Sequence, residues 1–316
     1  MITTPRPLAG LRFGLSISAP AELPGGADPE QAVNSLTVNF ASSILLEGGG
    51  LLLGHRWQPD GILEYLAFHA CDSRWAGGAS SATQTQDTAA PILNLLAWPD
   101  QPPATDRNAR KMIEDGILDS RQIPPPDIPL HRLDADPTKA LDSDLGKLAR
   151  VRALTALRQA MAAQADARVC LGGAAGKPLR RLPGVIEEAL FTHQAGKPLF
   201  IAGALGGAAK AMADAILRRR MEPSAEALFY TPLECAALYA QFADKYPAPH
   251  GEGPSDPEGW DALKHFASLE VPALAQQAGL TEEEYLQVLT STEVPQVFRL
   301  AITGVLRRRG AGAGQD

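Results

Sequence analysis

CLGGAAGKPLRRLPGVIEEALFTHQAGKPLFIAGALGGAAK, residues 170–210, carries the pattern that decides the fold. A short apolar run ends in Gly172–Gly173, and a basic loop follows. Pro183–Gly184 then opens a segment with two adjacent acids, Glu187 and Glu188. A second apolar run ends in Gly206–Gly207 and passes into another helical pattern. Two units of apolar strand, glycine turn and helix in succession imply parallel strands joined by crossover helices.

The same unit recurs towards the N-terminus. The stretch 11–19 reads as the first strand, 29–50 as a helix stopped by Gly48–Gly50, and 50–56 as a second strand. Val33, Leu36, Phe40 and Ile44 outline the buried face of that helix. A helix over 59–70, with Pro59 and Asp60 as its start signal, and a strand over 91–99 follow. "LLLG", "ILNLLA", "ARVCLGG" and "PLFIAGA" are nearly continuous apolar runs, as strands covered on both faces should be. Residues 98–142 are rich in proline and acids; a small helix near 106–116 and a short strand at "IPLHRL" (128–133) are expected there. Residues 145–165 form a strong helical pattern. Beyond about 222 the strand signal fades into helices, with Thr281 and Glu284 forming a capping box. This divides the chain into a sheet domain, 1–222, and a C-terminal helical extension, 223–316, packed on it.

Composition narrows the function. A net charge of −7 argues against nucleic acid as the main partner, since phosphate-binding surfaces are usually basic. The "RRR" clusters at 218–220 and 307–309 sit where helix C-termini favour cations. Cys71, Cys170 and Cys235 are scattered without metal-ligand spacing, which fits a reducing cytoplasm and no metal site. The N-terminal stretch lacks a signal-peptide core, and no apolar run is long enough for a membrane helix. The expectation is a cytoplasmic protein without membrane contact.

Ligands of open parallel sheets bind at the carboxyl ends of the strands. Those ends fall here at Ser16–Ala19 (with Ser16 and Ser18), Gly54–His55–Arg56, Trp98–Asp100, Gly172–Gly173 and Gly203–Gly207. Glycine allows close backbone approach, and helix starts attract anions, so the set favours a nucleotide-like ligand. Plain βα turns are the alternative for any one of them, and a weaker one for the set, because all these turns should fall on one edge of the sheet. Lys177, Arg180 and Arg181 are either further phosphate contacts or a solvated loop. Arg56 offers a forked contact to phosphate, and His55 is either a group titrating near neutrality or a hydrogen-bonding turn residue. No GxGxxG follows the first strand and no GxxxxGK[ST] occurs, so neither a dinucleotide dehydrogenase nor a P-loop enzyme fits. Glu187 and Glu188 point about 100° apart on a helix, so they cannot act together on one substrate. A first-turn acid is also explained by the helix dipole.

These residues resemble a known family. "LRQAMAAQADARVCLGG" (157–173) and "GVIEE" (184–188) are similar to the two halves of the Lonely Guy phosphoribohydrolase motif, Pro-Gly-Gly-x-Gly-Thr-x-Glu-Glu. Here the halves are parted by "AAGKPLRRLP" (174–183), Leu171 replaces the proline and Val185 the threonine. This split layout looks like the SLOG superfamily, whose members pair with TIR, Sir2 or nucleosidase effectors in bacterial defence and often sense nucleotide-derived signals. "GHRWQPDGI" and "GALGGAAKAMADAI" resemble that group's Gly-rich stretches, and the likeness spans about residues 11–217.

The resemblance implies an α/β fold: a Rossmann-like doubly wound parallel sheet with a C-terminal helical extension. It implies a homo-oligomer that needs no cofactor and binds a nucleotide or ADP-ribose-like ligand. That ligand would lie over Ser16, Ser18, Gly54, His55, Arg56, Gly172, Gly173, Gly184, Glu187, Gly206 and Gly207. Arg158 and Glu188 correspond to the catalytic pair of the hydrolase relatives. Three readings follow: a sensor, a nucleotide N-glycosidase, or an interaction scaffold with a degenerate site.

Overall fold

A computed structural model describes residues 6–20, 28–76, 89–174, 182–220, 233–247 and 260–312. Six parallel strands form one sheet: β1 (Arg12–Ser18), β2 (Gly50–Leu53), β3 (Ile92–Ala97), β4 (Leu118–Ile123), β5 (Ala167–Gly172) and β6 (Leu199–Ala202). Their order is β4-β3-β2-β1-β5-β6. The chain winds outward from β1 through β2 to β4, then returns to the other side of β1 for β5 and β6. The reversal falls between β1 and β5, where parallel sheets open a crevice. The fold is Rossmann-like α/β with a helical C-terminal part, as the sequence pattern implies.

Alternation along β1 assigns the two faces. Phe13 meets Phe40 of α1 (Pro29–Leu46) edge-on at 6.2 Å, and Phe40 stacks on Phe298 of α12 (Val294–Gly312) at 4.1 Å. Gly14 and Ser16 face the opposite side, towards α5 (Asp144–Gln164) and α6 (Gly184–Gln194). Asp28 caps α1 by accepting from the Glu30 N–H at 2.9 Å, and Pro29 takes the first helical position, where no amide donor is needed. Ser143 caps α5 in the same manner at 3.0 Å.

The helices beyond residue 222 complete this core. Phe266 of α9 (Trp260–Ser268), Leu274 of α10 (Val271–Ala278), Val288 of α11 (Glu282–Thr290) and Val297 of α12 are buried in one cluster with β5, β6, α6 and α7 (Gly207–Arg218). Tyr285 of α11 donates its hydroxyl to the Leu199 carbonyl of edge strand β6 at 2.9 Å. Cys235 and Leu238 of α8 (Leu233–Phe242) pack with α5 residues in a second cluster. The capping box at Thr281 and Glu284 is present, and Arg307 of α12 holds the same glutamate.

Two local expectations change. The strand expected at 128–133 is absent, and Leu130–Arg132 is a single 3-10 turn. The fourth strand lies earlier, with Ile92↔Leu118 to Ala97↔Ile123 as its register. As an edge strand it keeps polar residues on its open side, where Asp119 accepts from Arg121 at 2.9 Å, so it does not read as an apolar run. Asp60 adopts a left-handed turn (φ 59°) ahead of α2 (Ile62–Ala76) instead of starting it.

Because Phe298 ties α12 to β1 through Phe40, Phe298→Ala should lower stability by about 3 kcal/mol. Urea unfolding should show one transition at a lower midpoint. A separate early transition with an unmoved main one would mean that α12 is an appendage.

Candidate functional site

The site is built around a buried arginine in the sheet. Arg168 lies on β5 opposite Gly14 of β1 and is fully enclosed. Its Nε donates to Thr192 Oγ1 at 2.8 Å, and its Nη1 donates to Ser16 Oγ at 2.7 Å and to Glu188 Oε2 at 2.8 Å. Ser16 in turn donates to the same carboxylate oxygen. A Cβ on residue 14 would stand 2.8 Å from Arg168 Cζ, so glycine there is the clearance the guanidinium needs to cross from β5 to β1. Burying a charge is costly unless it is paired and hydrogen-bonded. Here the pairing joins β1, β5 and α6 at the sheet's switch point.

The two glutamates separate as helix geometry requires. Glu187 is wholly buried: Thr155 Oγ1 donates to its Oε1 at 2.9 Å, and Arg158 Nη1 donates to its Oε2. Expected among the ligand contacts, it is instead enclosed and acts on Arg158. Glu188 keeps 17% of its side chain exposed, with Arg158 Nε 3.9 Å from its Oε1. Arg158 itself is buried, and Gly184 leaves it room, since a Cβ there would sit 3.1 Å from Arg158 Nη2. Of the expected residues, Ser16, Glu188, Arg158, Gly184 and Glu187 therefore converge.

The two Gly-Gly turns meet each other. The Gly173 N–H donates to the Ser18 carbonyl at 2.8 Å, and the Gly173 carbonyl accepts from Ala208 at 3.2 Å. Gly172, Gly173 and Gly207 all have positive φ, and a Cβ on them would run into Ser18, Ala208 and Gly173 respectively. Backbone-on-backbone packing between β5 and the start of α7 thus demands these glycines. Gly206 also has positive φ (73°), but no atom lies within 4 Å of where its Cβ would be. Lys177, Arg180 and Arg181 lie outside the described residues.

The ends of β2 and β3 supply the other wall. Gly54 is exposed, with Met161 of α5 behind it. Asn94, buried inside β3, accepts from the His55 N–H at 3.0 Å and donates to the His55 carbonyl at 2.9 Å. Burial holds the His55 imidazole below its ordinary value of 6.5, and the negative charge of Glu188 offsets part of that. Arg56 pairs with Asp100 at 2.6 Å. Asp100 also accepts from Arg150 Nη2 at 2.9 Å, while Arg150 Nη1 donates to the carbonyls of Ala97 at 2.6 Å and Trp98 at 2.7 Å.

Several of these groups escape a reading based on apolar runs: Arg168, Asn94, Thr155, Thr192 and Arg150. A signal did exist for two of them. Arg168 and Asn94 are lone polar residues inside strands otherwise built for burial on both faces, and such residues must find partners.

The sheet topology defines a Rossmann-like protein, with the Glu188 carboxylate held beside its switch point. The comparison of families agrees: the SLOG cluster 2 model matches residues 7–288, and the chain belongs to that family. Membership points to a nucleotide-related function. No curated protein matches the chain. Among the described residues, no helix is long and apolar enough to cross a membrane.

Two outcomes test this geometry. Arg158→Met strands the buried Glu187 carboxylate and should cost about 3–5 kcal/mol. Adding Glu187→Gln should recover part of it in a double-mutant cycle read by denaturant unfolding. His55 should titrate below 6.5 by imidazole NMR, and lower still in Glu188→Gln, which removes the opposing charge. With its folded value depressed, the stability His55 contributes is complete above about 6.5 and falls away as pH drops below it.

Proposed function

We propose that the chain binds a nucleotide or nucleotide-derived signal at the carboxyl edge of the sheet, as a sensor in a bacterial defence or stress system. One observation carries the reading. Glu188 is the acid of the split motif that reaches the crevice, and Ser16 and Arg168 hold its carboxylate in one position. A fixed carboxylate at a switch point is suited to accept hydrogen bonds from ribose hydroxyls. Gly54 and Gly206 leave the strand ends open beside it. In this reading the ligand needs no further cofactor. Its occupancy would be passed on within a homo-oligomer or to a TIR, Sir2 or nucleosidase effector.

A second reading is a nucleotide N-glycosidase of the Lonely Guy type. The proximity of Arg158 to Glu188 supports it, since the residues corresponding to that catalytic pair lie together. Glu188 would activate water or steady the ribose, and Arg158 would polarise the reacting centre.

Calorimetry against ADP-ribose, cyclic ADP-ribose, NAD, AMP and cytokinin-type monophosphates separates the readings. At least one should bind more tightly than millimolar, and Glu188→Gln should weaken it about tenfold or more. Binding by none of the panel overturns the sensor reading. Release of free base, detected by chromatography and abolished in Glu188→Gln, would establish the glycosidase instead.

A further inference from the structure

Arg158, the arginine of the split motif, is buried and committed to Glu187. Among the described residues, an exposed cation of this edge stands elsewhere. Arg56 follows Gly54 and His55 at the end of β2, and 63% of its side chain is exposed. Its base is rigid, because Asn94 grips both backbone groups of His55. Its partner Asp100 is only 14% exposed and is independently held by Arg150. Arg150 is fixed in turn by two backbone carbonyls at the end of β3. Two guanidinium groups therefore share one carboxylate, leaving a surplus positive charge at the strand ends. Burial pushes the Arg150 guanidinium down, Asp100 offsets part of that, and the charges of Arg56 and Arg158 add to the downward push.

We propose that the anionic group of the ligand, of phosphate type, docks on Arg56 over the ends of β2 and β3. Asp100 engages that guanidinium until the ligand's anion replaces it. The exchange strands nothing: Asp100 keeps Arg150 when Arg56 leaves, and Arg56 trades one oxygen acceptor for the bidentate face of a phosphate. The inference rests on reading the crevice as a nucleotide site and gives that ligand a direction. Its hydroxyls lie over Glu188 at the β1–β5 seam, and its phosphate points across β2 towards β3.

The test uses inorganic pyrophosphate as probe and the full chain. Pyrophosphate should broaden in its phosphorus NMR signal on adding wild type. The broadening should disappear with Arg56→Met, persist with Arg121→Met as a control for another exposed arginine, and strengthen severalfold with Asp100→Asn. An absence of broadening in wild type, or equal broadening in Arg56→Met, overturns the proposal. AMP should also bind wild type about tenfold more tightly than adenosine, with the gap closed in Arg56→Met. Should neither AMP nor adenosine bind while the pyrophosphate signal stays Arg56-dependent, the nucleotide reading falls and the anion site stands.

Discussion

The Arg168 guanidinium bridges the seam on which the fold turns. A cation enclosed between two parallel strands is tolerable only if carboxylate and hydroxyl oxygens reach it. Ser16 comes from β1, and Glu188 and Thr192 come from successive turns of α6. Meeting that demand sets the rotation of α6 about its own axis. With Glu188 turned towards the seam, Glu187 is driven about 100° away into the α5 interface, where Arg158 and Thr155 receive it. One buried charge thus orients the whole first turn of the helix that borders the crevice.

Such networks strengthen with each donor satisfied; in Arg168, Nε and Nη1 are satisfied and Nη2 is buried without a hydrogen-bond partner among the described residues. Here the elements supplying them are spread over much of the chain, from Gly14 to Thr192. The two Gly-Gly turns serve the same seam from its open end. They let β5 and α7 touch backbone to backbone, with Ser18 of β1 accepting from Gly173. Their glycines are therefore structural in the first instance, whatever ligand passes above them. The charge of the site is concentrated instead in side chains on either flank: the Glu188 carboxylate at the seam, and the net-cationic Arg56–Asp100–Arg150 group two strands away.

Much of the architecture is legible in the sequence, because strands covered on both faces must be apolar throughout and four of the six (β2, β3, β5 and β6) are recognisable on that ground. The edge strand β4 is not, since it carries Asp119, Arg121 and Gln122. Within the site, the resemblance that picks out Arg158, Gly184 and Glu188 selects groups that do lie together. It does not show that the arginine is enclosed, because a motif records residue types and not their exposure. Arg168 and Asn94 are diluted within apolar strings. Read as charges or amides that require partners, they direct attention to Glu188 and to the loop at His55. Asp100 and Arg150 are distant in sequence and meet only through the packing of α5 on β3.

The aromatic stack of Phe13, Phe40 and Phe298 has a temporal side. Its first two rings leave the ribosome early, while the third belongs to α12, whose Arg309 also donates to the carbonyls of Pro7 at 3.0 Å and Ala9 at 2.8 Å. Until Phe298 has been synthesised, Phe40 lacks the ring it stacks on in the folded chain. Closure of the stack therefore waits until α12 has been made.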